Sequence, residues 1–299
     1  MRKKVYSASV TPLTADGGLD IGGVNKIFER NIRHGLDGIF ILGSMGEWNQ
    51  FSDAFRDRMI AECVKAAAGR AELLVGITAA GTARALENMK RASAHAFDSY
   101  VFMLPAASDI ADPVRTIRAV LDAADRPVYY YHCPPNNGIN LSLAQFAALL
   151  AHPNLKGIKN SSSNMWLRRE LILMKQDKGF KAALLEGQEW AADEALLAGY
   201  DGMLCGMGAL GSKFMVGIAR AVDAGDAKEA TRLQNRFIRL FHGVYGPNLE
   251  TVWVGQKYAL KCLGLCATEL TLAQEMETLT ETRKREIAAC LEEFRGELD

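Results

Sequence analysis

Short apolar runs punctuate the first 205 or so residues: "VYSASVTP", "GIFILG", "ELLVGIT", "SYVFMLP", "RPVYYYHCPP", "LKGIKN", "KAALLEG" and "DGMLCG". Each is too short for an ordinary helix and has the profile of a strand buried on both faces. Between most of them lie helix-length amphipathic segments, "DAFRDRMIAECVKAAAG", "ARALENMKRASAHA", "DPVRTIRAVLDAA", "SLAQFAALLA", "NMWLRRELILMKQ" and "EWAADEALLAG", with apolar positions at helical spacing. Eight strand candidates alternating with helices every ~20–30 residues predict a parallel α/β fold.

The count narrows the topology. Eight units within residues 1–225 fit a closed (β/α)8 TIM barrel, typically ~250 residues, better than an open sheet. Ser142 and Asp112 read as helix N-caps, Pro113 as a first-turn residue, and Gly69 and Gly199 as helix ends. Residues 226–299 carry three helical patterns and no strand. They read as a C-terminal helical appendage packed on the barrel, not a second core.

A barrel says where to look for chemistry, because its active sites lie at the C-terminal ends of the strands. Those ends offer Thr11, Ser44 and Glu47, Tyr131 and His132, Lys159, and Glu186. Asp37, Glu72, Ser99, Arg126 and Lys181 fall at the opposite ends and read as solvent-facing groups. Lys159, in "NLKGIKNSSSN", ends an apolar strand, and Gly157 on the same strand face leaves room beside it. Inside a barrel its ammonium form is disfavoured, so neutral amine is available to attack a carbonyl. The plain alternative is a lysine pointing into water. Tyr131 lies on the neighbouring strand, where its phenol can relay protons to the amine, although three successive tyrosines usually pack. Tyr130 and His132 face the other way. The "GSMGE" turn, with Ser44, can form an anion-binding nest. Glu47 reads as a loop stabiliser.

Composition excludes several function classes. The 299 residues are 49% hydrophobic and 23% charged, with 35 basic and 35 acidic side chains. No basic stripe points to nucleic acid, and no run has membrane-span length. The start "MRKKVYSASVTPL" has no signal-peptide apolar core. The six cysteines show no C-x-x-C pair and read as buried free thiols, with no metal site. A cytoplasmic setting is expected, and the zero net charge is compatible with a homo-oligomer.

These segments together resemble the N-acetylneuraminate lyase / dihydrodipicolinate synthase family of class I aldolases and lyases. "SVTPLTADGGLD" is similar to the family's opening strand and loop, and "LGSMGE" to its G-[ST]-T-G-E carboxylate motif. "YYYHCPPNNG" is similar to the tyrosine segment Y-x-x-P-x-x-x-G, "GIKNSSSN" to the Schiff-base strand, and "GYDGMLCGMGAL" to the last strand. The resemblance implies Lys159 as the imine-forming residue and Tyr131 as the proton relay. It implies that Ser44, with the backbone at Met45 and Gly46, holds the carboxylate of pyruvate or another 2-oxo acid. No metal or organic cofactor is implied, and homotetramers are common in the family.

Departures bear on the second substrate. Asn136 stands where the synthase branch usually has arginine, and Ala106 and Ala107 stand where it tends to have paired tyrosines. Glu189 and Trp190 replace the Asp-Glu pair usual in sialic-acid lyases, Gly206 replaces a serine, and Met45 replaces the second hydroxyl of the carboxylate motif. The leading expectation is reversible aldol cleavage of a 2-keto-3-deoxy sugar acid or sialic-acid-like substrate, with Glu189 touching the polyol and Trp190 narrowing the pocket. Alternatives are synthase-type condensation, dehydration of a 2-keto-3-deoxy acid, or a non-catalytic sugar-acid-binding barrel. The glycine-rich "DGMLCGMGALGS" also fits a phosphate site of a phosphosugar isomerase or epimerase.

Overall fold

The computed structural model describes residues 2–106 and 110–299. In chain order it has β1 (Lys4–Ala8), α1 (Ile21–Arg33), β2 (Gly38–Ile41), α2 (Asp53–Ala67), β3 (Glu72–Gly76), α3 (Thr82–Ala92), β4 (Ser99–Met103) and α4 (Pro113–Ala123). Then follow β5 (Val128–His132), α5 (Pro134–Asn137), α6 (Leu143–Leu150), β6 (Leu155–Asn160), α7 (Met165–Lys178), β7 (Ala183–Glu186), α8 (Ala192–Ala198), β8 (Gly202–Cys205) and α9 (Gly208–Asp223). Each strand pairs in parallel with the next, and β8 pairs with β1. The sheet therefore closes, and the fold is a (β/α)8 TIM barrel. Four further helices follow: α10 (Ala227–Tyr245), α11 (Val252–Cys262), α12 (Glu281–Glu293) and a last short α13 (Arg295–Leu298).

Local chemistry explains most boundaries. Ser142 and Gln145 form a reciprocal capping box at α6, and Asp112 caps α4 ahead of Pro113. Gly199 ends α8 at φ 121°, whereas the left-handed cap of α2 is Ala68, with Gly69 following it. The periodicity does not single out α1 or α9. The first opens on Gly22 and Gly23 and the second contains Gly208, Gly211 and Gly217, all unfavourable in isolated helices. Tertiary packing overrides that preference: the segment read as a glycine-rich loop already holds the first turn of α9, which kinks at Gly211.

Side chains alternate across each strand. Tyr131 pairs with Lys159, and Lys159 with Leu185, in the layer near the C-terminal rim. Tyr130 and His132 face the helices, where the His132 ring meets Phe146 of α6 edge-on at 5.0 Å. The groups at the N-terminal strand ends are not uniformly solvent-facing. Asp37 is 5% exposed at its side chain, held by Arg2, by Lys4 at 2.9 Å and by the Val5 amide at 2.9 Å. Lys156 donates to Glu72 at 2.9 Å and to buried Ser99 at 3.1 Å. Arg126 spreads over Phe97 at 4.2 Å. At this rim the groups are satisfied by one another or by packing on rings, and Lys181 alone of the set is exposed.

One ion pair ties the loop after β2 to the C-terminal helices. Glu47, in a left-handed conformation at φ 57°, receives the Lys257 ammonium of α11. It also accepts from Thr271 Oγ1 at 2.9 Å and the Leu272 amide at 2.6 Å, while Lys257 donates to Leu270 O at 2.8 Å. Both side chains are fully buried. Burial lowers the Lys257 pKa and Glu47 opposes the shift. Removing one partner would strand the other charge, which costs about 3–5 kcal/mol. Lys257→Met is therefore expected to lower the urea-unfolding midpoint substantially; an unchanged midpoint would contradict a structural role for the pair.

Candidate active site

The barrel brings Lys159, Tyr131, Ser44, Met45, Glu189 and Gly206 to one cavity, whereas Gly46, in the same turn as Ser44, does not line it. Its volume is about 330 Å³, and its floor is formed by Ser44, Met45, Tyr131, Lys159, Ser161, Glu189 and Gly206. Lys159 is 4% exposed. Its ammonium nitrogen lies 4.0 Å from the centre of the Tyr131 ring and 5.8 Å from that of Phe40. Burial lowers its pKa below that of an ordinary lysine, while Cys133, Glu189, Cys205 and Glu186 pull weakly the other way. The amine is thus predisposed to its neutral, nucleophilic form.

Space for this side chain comes from a different glycine than the strand pattern implies. At Gly157 a Cβ would lie 2.8 Å from the Tyr129 ring, so an aromatic side chain already fills that side of the barrel. At Gly187 a Cβ would lie 2.9 Å from Lys159 Cε and 2.1 Å from Ser161 Oγ. Gly187, just past β7, is the residue that leaves the lysine its room.

Tyr131 is buried, and burial holds its pKa well above the usual phenol value, with Cys133 adding to the shift. The Ser44 and Ser161 hydroxyls lie beside the phenol and oppose it. The phenol therefore keeps its proton and can deliver it. Asn136 Nδ2 donates to Ser44 Oγ at 3.4 Å. Ser44 O accepts from Trp253 Nε1 at 3.0 Å, and Gly46 O accepts from Thr11 Oγ1 at 2.8 Å. These contacts fix the β2 loop by its carbonyls. Among the described residues, no backbone acceptor meets the Met45 or Gly46 amides, which leaves N–H groups for an anion.

Glu189 reaches this centre from the turn after β7. One carboxylate oxygen accepts from the Gly206 amide at 2.5 Å and the Met207 amide at 2.9 Å. Burial raises its pKa, and these hydrogen bonds together with Lys159 moderate the rise. The phosphate reading of residues 201–212 fails here: the amides opening α9 already hold a carboxylate, whose charge would repel a second anion. At Gly206 a Cβ would lie 2.8 Å from Met45 Cγ and 3.1 Å from Glu189 Oε1, so a larger residue there displaces these two side chains.

Other candidates stand outside. Glu186 faces the helices and pairs with Arg168 at 2.8 Å; burial raises its pKa to about 7. His132 is buried behind the barrel wall, and burial lowers its pKa to about 4. Of the serines after Lys159, Ser161 and Ser163 line the cavity, whereas the cap of α7 is Asn164, which accepts from the Leu167 amide at 3.0 Å. Ala106 is exposed on the loop after β4, and Ala107 lies outside the described residues. Sequence reasoning misses the upper wall, where α10 and α11 contribute Phe241, Tyr245, Val252 and Trp253. Its only trace in the sequence is the aromatic content of those helices.

Glu189 favours the charged lysine, so Glu189→Gln should lower the Lys159 pKa further. The rate of trapping pyruvate on Lys159 with borohydride, followed against pH, is expected to reach half-maximum at lower pH in the variant. A half-point that is unmoved or higher would contradict this electrostatic link.

Comparison with known proteins shows the family and the fold. The sequence model of the Dihydrodipicolinate synthetase family matches residues 1–294. The 4-hydroxy-tetrahydrodipicolinate synthase of Stenotrophomonas maltophilia (strain K279a) is 28% identical over 286 residues, covering 91% of this chain and 94% of that protein. An uncharacterized DapA-like lyase of Rhizobium meliloti is 28% identical over 90% of this chain and 88% of its own length. Among solved structures, the pyruvate complex of dihydrodipicolinate synthase from Acinetobacter baumannii superposes with a TM-score of 0.86 at 24% identity, covering 98% of each chain. The chain belongs to the dihydrodipicolinate synthetase family, whose members are class I aldolase-type lyases that form and cleave carbon–carbon bonds, and it is an enzyme of that kind.

Proposed function

We propose that the protein is a pyruvate-dependent class I aldolase or lyase working through an imine on Lys159. The observation that carries this reading is a desolvated lysine amine stacked 4.0 Å from a phenol that retains its proton. Pyruvate enters with its carboxylate toward Ser44 and the Met45 and Gly46 amides. Lys159 condenses with the C2 carbonyl, water leaves, and the iminium draws electrons from C3. Loss of a C3 proton gives an enamine, with Tyr131 moving protons between substrate and solvent side. The second oxygen of Glu189 is free to accept from the hydroxyl that the aldehyde oxygen becomes in the aldol product. Residues 1–225 supply the chemistry, and the extension over residues 226–299 closes the cavity. No metal or cofactor has a part in the scheme.

Two readings of the partner separate here. The names of the relatives support condensation of the synthase type. Cleavage of a sugar acid rests on Glu189 alone. Against the synthase reading, Asn136 stands at the arginine position and presents no cation. The apolar side chains Met165, Trp166 and Leu173 exposed on α7 support burial against other copies in a homotetramer. Six free cysteines support a reducing compartment such as the cytoplasm.

Incubation with pyruvate and borohydride is expected to leave a reduced adduct on the peptide containing Lys159, detected by mass; a folded protein without adduct would contradict the imine. Tyr131→Phe is expected to retain trapping but to lose about 10²–10⁴-fold in carbon–carbon bond turnover, the usual worth of a positioned acid–base group. An undiminished rate would remove Tyr131 from the relay.

A further inference from the structure

The outer half of the cavity contrasts with its floor. Trp190, Phe241, Tyr245, Leu249, Val252 and Trp253 line it. Phe241 and Tyr245 lie four apart on α10, on one helix face. Their rings meet edge-on at 4.7 Å, and Trp190 meets Phe241 edge-on at 5.6 Å. This makes a continuous aromatic wall from the mouth inward. Its polar tips are turned away from the cavity: Tyr245 donates its hydroxyl to Gln256 at 2.6 Å, and Trp253 donates its indole N–H to Ser44 O at 3.0 Å. Ring faces and edges are what a ligand meets.

Polar side chains at the rim are also engaged with the protein. Gln188 Nε2 donates to Ser161 O and Ser163 Oγ, both at 2.9 Å. Among the described residues lining the cavity, Lys159 is the only cation, and imine formation consumes it. A partner bearing a carboxylate or phosphate would find no counter-charge beyond the pyruvate subsite. The polar groups left unpaired, Ser161 Oγ and the second oxygen of Glu189, belong to the floor beside Lys159 and not to this wall, and desolvating a polyol's hydroxyls against rings is unfavourable.

Resting on the pyruvate-imine reading above, we infer that the second substrate is an aldehyde carrying an apolar, flat group, with an aromatic aldehyde as the best fit. C3 of the enamine bonds to the aldehyde carbon, and the carbonyl π electrons move to oxygen, which takes up a proton equivalent to the one lost from C3. Water then hydrolyses the iminium, which restores the amine and releases a 4-hydroxy-2-oxo acid bearing the apolar group. Trp190, 44% exposed at the mouth, is a specificity-determining residue whose removal leaves the core intact.

The test measures kcat/KM of the whole enzyme, at saturating pyruvate, for benzaldehyde, glyceraldehyde and succinic semialdehyde, reading the 4-hydroxy-2-oxo acid formed. Benzaldehyde is expected to exceed the other two by about tenfold or more, and Trp190→Ala to reduce the benzaldehyde-to-glyceraldehyde ratio by about tenfold. Preference for glyceraldehyde or succinic semialdehyde, turnover of none of the three, or a ratio indifferent to Trp190 would overturn the inference. Borohydride trapping of pyruvate, run in parallel, separates the two levels. Adduct without benzaldehyde preference refutes the aromatic partner alone, whereas absence of adduct refutes the imine reading and this one with it.

Discussion

A lysine whose charge the barrel cannot solvate is the constraint on which the site depends. Closing eight parallel strands puts alternate side chains into an interior that excludes water, and Lys159 is one of them. Its neighbours are an aromatic ring, a phenol and the glycine that gives it space; no carboxylate lies in ion-pair contact with it among the described residues. Elsewhere charges are held by pairing, as Lys156 is with Glu72 at the N-terminal end of the barrel and Lys257 with Glu47 between the β2 loop and α11. Lys159 differs because Glu189, which shares its cavity, has one oxygen tied to the amides that open α9.

That contrast explains the arrangement around it. In the proposed scheme Tyr131 must stay protonated to deliver a proton, and burial, with Cys133 adding to it, keeps the phenol protonated. In the same scheme the β2 loop offers N–H groups to the pyruvate carboxylate. Its shape is held from outside by Thr11, Trp253 and the Glu47–Lys257 pair, so the amides themselves stay unspent. Catalytic floor and supporting contacts are therefore separate sets of atoms, and the C-terminal helices belong to the supporting set as well as to the wall.

Strand alternation makes Lys159, Tyr131 and the outward turn of His132 legible in the sequence, because the period of two is local. Ser142, Asp112 and Pro113 are legible for the same reason: a cap acts within one turn. What escapes sequence reasoning is non-local. Lys257 is 210 residues from Glu47, and Trp253 is 209 from Ser44, so nothing in either stretch names its partner. Gly157 looks like the lysine's free space only until Tyr129, on the next strand, is seen to fill it. Gly187 takes that part, and its importance depends on the pairing of β6 with β7. The helix α9 hides because its glycines lower local propensity while packing restores it.

Enamine formation at Lys159 has a direct signature that needs no aldehyde. In D2O with pyruvate alone, the enzyme should exchange the C3 protons of pyruvate for deuterium, seen as loss of the methyl signal by proton NMR. The account predicts rapid exchange with the native enzyme and none above background with Lys159→Met, provided the variant keeps its fold. Exchange at the native rate without the lysine, or its absence with the lysine in place, would contradict it.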